Sequence, residues 1–94
     1  VWDETPLHWA AMNGNAPLLF HVIPYKPNLD ATDQFGSTPL HNAALAGHVA
    51  IASMLITLEA SMSISDIVGR TPLHCAVTNG HMKMVQKLLE RGAD

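Results

Sequence analysis

The sequence predicts an all-α repeat: a solenoid of helix–turn–helix units joined by hairpin-like loops. Three observations carry this expectation. The tetrapeptide TPLH occurs at residues 5–8, 38–41 and 71–74, at a constant interval of 33 residues. The match extends further, because TPLHWAAMNG (5–14), TPLHNAALAG (38–47) and TPLHCAVTNG (71–80) agree at six of ten positions. A second apolar stretch follows each closing glycine. Self-similarity at a fixed period of this length marks a stacked array in which each unit lends its neighbour a core.

Each unit opens on a helix start. Thr5, Thr38 and Thr71 are N-cap residues whose hydroxyls accept from an orphan backbone N–H. Pro6, Pro39 and Pro72 then occupy the first helical position, where a missing N–H costs nothing. Leu7, Leu40 and Leu73 recur three residues before Ala10, Ala43 and Ala76 on one helical face, and the small alanines let helices approach closely. Gly14, Gly47 and Gly80 suit the left-handed position that ends a helix. The first helix of each unit is therefore about two turns long.

The second helices differ between units. Ile51, Leu55 and Ile56 supply the inner face in the middle copy, and Met84, Val85, Leu88 and Leu89 in the last. In the first, Pro24 shortens the helix, and Pro17 and Pro27 add to the irregularity. Gly92 follows the last helix, whereas Lys26 and Glu59 hold the equivalent positions and must accept a left-handed backbone or alter the loop. The linking stretches ATDQFGS (31–37) and ISDIVGR (64–70) each bracket two variable residues with Asp and Gly, a tight-turn pattern. Asp3 stands where those turns have Gly36 and Gly69, so a frayed N-terminal turn is expected.

Taken together these units resemble ankyrin repeats, whose period is 33 residues and whose signature contains T-P-L-H-x-A; GHMKMVQKLLERGAD (80–94) is similar to the family's second helix and the loop after it. The resemblance covers essentially all 94 residues. It implies one ankyrin-type array, with unit 1 at about 1–32, unit 2 at about 33–65 and unit 3, cut short, at about 66–94. The start at Val1 and the stop within the pattern at Asp94 lead to the expectation that the array belongs to a longer protein.

Composition narrows the function. With 48% hydrophobic and 14% charged residues the chain must bury a core. Its apolar runs are too short to span a membrane. The net charge of −3, with five scattered Lys+Arg, argues against nucleic acid. A single cysteine, Cys75, forms no internal disulfide and suits an intracellular location, cytoplasmic or nuclear.

The six histidines invite a metal reading. His8, His41 and His74 recur one per unit, however, and stacked helices stand roughly 10 Å apart, too far to share a zinc at about 2 Å. A polar ladder to nearby backbone and threonine hydroxyls is the expectation. His48 and His81 follow the helix-ending glycines, and His21 stands apart on the irregular second helix. His74 and Cys75, adjacent on a helix, point about 100° apart and make no nucleophile–base pair. No metal, cofactor or catalytic site is expected.

Function then falls to the surface. The resemblance implies contact through the loop tips and the concave face of the first helices with another protein. The residues so assigned are Trp2, Gln34, Phe35, Ile67 and Val68 at the tips, Arg70 beyond the turn, and Met12, Asn13, Leu45 and Asn79 on the first helices. Many are apolar, and exposed apolar patches tend to mark contact sites. Two placements compete for Phe35 and Ile67, projecting outward or folded onto the neighbouring turn. A spacer within a longer array, or the regulatory segment of a larger enzyme, channel or ubiquitin-ligase subunit, are the alternatives. The apolar residues on the last helix add end-to-end self-association as an expectation if the array is truncated.

Overall fold

Three threonines, each followed by proline, start three helices in the same way. A computed structural model of the chain describes residues 5–93. Thr5, Thr38 and Thr71 are all extended, and each hydroxyl accepts from the backbone N–H three residues on. They cap α1 (Pro6–Asn13), α3 (Pro39–Ala46) and α5 (Pro72–Thr78). These alternate with the second helices α2 (Ala16–Val22), α4 (Val49–Thr57) and α6 (Met82–Glu90).

The first helices stack in order, α3 lying between α1 and α5, and each second helix packs on the first helix of its own unit. Ala10, Ala43 and Ala76 are wholly buried, so the interval between first helices is filled by methyl groups and backbone. Leu7, Leu19, Leu40, Leu55, Met84 and Leu88 complete one continuous core. Together these elements make an all-helical solenoid measuring 30 × 25 × 20 Å.

Proline punctuation acts as the sequence leads one to expect. α2 stops at Val22 and passes into a 3₁₀ turn at Ile23–Tyr25, giving seven α-helical residues where α4 and α6 each have nine. Pro24 lacks the N–H that would continue the ladder, and its ring crowds the preceding turn. Lys26 and Glu59 take the left-handed conformation at φ 53° and 75°, matching Gly92 at φ 101°.

One apolar assignment needs correction. Leu89 was expected on the inner face of α6 but is exposed, although its counterpart Ile56 on α4 is buried. The difference arises from coverage. α6 lies beside α4, and among the described residues no further helix lies beyond α6.

The loops are hairpin-like without forming strands among the described residues. The Asp33 N–H donates to Ser37 O at 3.0 Å, and the Asp33 carboxylate accepts from the amides of Phe35 and Ser37 at 2.9 and 3.0 Å. Asp66 repeats the pattern with Val68 and Arg70. An aspartate that satisfies its own turn in this way is what the D-x-x-G spacing encodes.

Candidate protein-binding surface

The histidine ladder positions the loops, so the surface is built from it. Nδ1 of His8, His41 and His74 lies 3.1 Å from the backbone N–H of the capping threonine. A backbone N–H only donates, so Nδ1 is the acceptor and the ring proton belongs on Nε2. In His8 that Nε2 donates across the unit boundary to Ser37 O at 2.8 Å, and in His41 to Arg70 O at 2.8 Å. His8 and His41 thus each close their own helix cap and fasten the loop of the next unit, while His74 closes its cap alone among the described residues. Burial pushes the His41 imidazole below its ordinary value, against the opposing influence of its bond to the Arg70 carbonyl.

A second histidine pair acts at the opposite ends of the first helices. His48 and His81 precede α4 and α6, and each ring lies over the helix-ending glycine of the preceding unit. His81 Nε2 also donates to Leu45 O at 2.9 Å.

The loops so fixed present their tips side by side, joined by a hydrogen bond from Ile67 N–H to Phe35 O at 3.0 Å. Phe35 is 56% exposed, Ile67 71% and Val68 70%, so the projecting placement is the one found. Gln34 beside them is also exposed. Met12 and Asn13 are exposed at the end of α1, where the Asn13 amide donates to Trp9 O at 3.0 Å. Asn79 is exposed at the end of α5 and donates to Leu45 O at 2.9 Å.

Two assigned residues stand differently from expectation. Leu45 is half-buried instead of exposed, its side chain packed against the core and its carbonyl covered by Asn79 and His81. Arg70 does not extend freely from the rim, because its Nε donates to Asp66 Oδ2 at 3.0 Å. Burial of Asp66 works to raise its carboxyl, but the Arg70 and Val68 amides and the guanidinium outweigh it and hold the group below its ordinary value. Trp2 lies outside the described residues, as do Val1, Asp3 and Glu4.

Sequence reasoning overlooked two features. Trp9, Asn42 and Cys75 share one slot, which the repeat marks as variable; Asn42 and Cys75 are buried there, yet Trp9 is exposed. Among the described residues the Asn42 Nδ2 group has no hydrogen-bond partner. The outer helices also carry exposed Phe20, Tyr25 and Leu58, for which Pro24 was the available signal.

Cys75 is buried, which raises its thiol. Among the described residues no three His, Cys, Asp or Glu side chains converge on a metal-sized site. No described helix is long and apolar enough to cross a membrane.

Capped short helices stacked through alanine, with a histidine bridging each of the first two units to the next loop, define a class of helical repeat solenoid. The family model for ankyrin repeats matches residues 3–94 in three copies, and the chain belongs to that family. Ankyrin repeats are generally protein–protein interaction modules and typically non-catalytic. A search of curated proteins finds no match.

Proposed function

We propose that the chain is a non-catalytic, intracellular module that binds a protein partner through its loop tips and the exposed ends of its first helices. The observation that carries this reading is the apolar strip of Phe35, Ile67 and Val68, held outward on two turns that share a backbone hydrogen bond. Large side chains on a fixed backbone bind with little further ordering cost. Replacing all three by alanine and comparing capture of intracellular proteins tests the reading. Loss of a specific partner with unchanged thermal stability supports it. Equal capture by both chains assigns the strip to a spacer without contacts of its own.

A second reading, end-to-end self-association, is favoured by His74. Among the described residues its Nε2 has no acceptor equivalent to Ser37 O or Arg70 O. Val77 and Leu89 are exposed where Ala44 and Ile56 are buried. Sedimentation over a wide concentration range tests this, with Val77→Asp expected to leave only monomer. A wild-type chain that remains monomeric throughout removes the idea.

A further inference from the structure

The outer layer carries a groove that the loop tips do not explain. α2 ends early at Val22, and it packs less closely on α4 than α4 does on α6. Two adjoining hollows of about 300 and 330 Å³ open there, sharing Ile23 and Leu58 as common walls. Phe20 and Met54 line the first, and Lys26 and Pro27 the second. For scale, a cavity of about 150 Å³ lined by aliphatic residues holds a benzene ring.

Charge around this groove has one sign on its walls. Lys26 is the charged residue among them, and neither hollow is lined by a carboxylate. Glu59 adjoins Leu58 in sequence, yet the ion pairs among the described residues are Arg70–Asp66 and Lys87–Glu90, so Lys26 has no carboxylate partner within 4 Å. Beyond α4 the outer layer continues into a hollow lined by Val49 with Lys83 and Lys87, where Glu90 is the carboxylate. An apolar trough with one ammonium group on its wall, Lys26, and no carboxylate lining complements an apolar stripe flanked by acidic side chains.

We propose that the groove between α2 and α4 docks an acidic amphipathic helix of a partner protein, with its apolar stripe against Phe20, Ile23, Met54 and Leu58. Lys26 faces its carboxylates. Helix-in-groove recognition reads apolar side chains at i, i+3 or i+4, and i+7. Charge at the border sets which helix is accepted. This surface is separate from the loop-tip strip, so its success or failure leaves that reading intact.

The probe is a synthetic helix of about 16 residues, long enough to form in water, with leucine on one stripe and glutamate elsewhere. A second peptide carries lysine in place of every glutamate, and laurate serves as an acyl-chain control. Amide NMR spectra of the protein are recorded during each titration. Saturable shifts confined to residues 20–26 and 54–59 are expected from the acidic peptide, with about tenfold weaker binding of the basic one. Leu58→Asp should abolish the shifts, and the 41% exposure of Leu58 makes the change tolerable to the fold. Lys26→Glu should reverse the order of the two peptides, a result that unfolding would not produce. Equal binding of both peptides, shifts at residues 34–35 and 67–68 instead, or saturation by laurate alone would each overturn the proposal.

Discussion

His41 Nε2 donates to the Arg70 carbonyl across 2.8 Å, while Nδ1 of the same ring accepts from Thr38 N–H at 3.1 Å. One imidazole therefore holds a helix cap in unit 2 and a loop in unit 3. Its truncation leaves two backbone groups without partners, and buried groups of that kind each cost about 1–3 kcal/mol. His41→Ala should lower unfolding stability by about 2–4 kcal/mol in urea. His74→Ala removes an exposed cap alone and should cost about 1 kcal/mol. Equal losses for the two variants would contradict the bridging role.

The same ring predicts a pH dependence. Burial depresses the His41 value below 6.5, so the unfolded chain takes up a proton first. Stability is complete above that pH and declines as pH falls toward the folded value. A second decline follows below 3.8, as pH falls through the depressed Asp66 value. Thermal melts across this range should show the first decline flattened by His41→Gln and the second by Arg70→Ala.

Two equivalent glycines separate backbone strain from steric contact. A Cβ on Gly47 would come within 2.7 Å of the His81 ring, whereas one on Gly80 meets nothing within 4 Å. Both have positive φ, at 81° and 69°. Gly80→Ala should therefore cost about 1 kcal/mol, the left-handed penalty alone. Gly47→Ala should cost that plus displacement of the ring, about 2–3 kcal/mol in all. Denaturant midpoints of the two variants give the difference directly.

Asn42 is 5% exposed, and among the described residues its Nδ2 donor has no partner. The same slot in unit 3 holds buried Cys75, which makes no such demand. Asn42→Cys should therefore stabilise the chain by about 1 kcal/mol, measured by thermal unfolding under reducing conditions. A lower midpoint would reveal a partner for the amide.

Much of this architecture was legible because the repeat is written three times. Thr, Pro, His and Gly at fixed offsets specify a cap, a start, a bridge and a stop, and each is local or nearly so. Pro24 gave away the short α2 for the same reason. The exposure of Leu45, Leu89 and Trp9 was not legible, since it depends on which helix lies alongside. A recurring motif describes an interior unit, whereas these side chains report a unit's neighbours. The Arg70–Asp66 bond was hidden for another reason: the turn that orients the aspartate also brings the guanidinium back to it, so Arg70 Nε is already engaged. The groove was not legible either, since Pro24 forecasts a short α2 but not where α2 stands relative to α4.

The bridging bonds also give the stack a sense of direction. His8 in unit 1 grips the Ser37 carbonyl two residues past Phe35, and His41 in unit 2 grips the Arg70 carbonyl two residues past Val68. Each projecting tip is thus anchored by its predecessor, so damage to one unit should be felt first in the aim of the next unit's finger. Loosening at the N-terminal end would travel downstream as lost grip, while loosening at the far end would leave the earlier fingers pointing where they were.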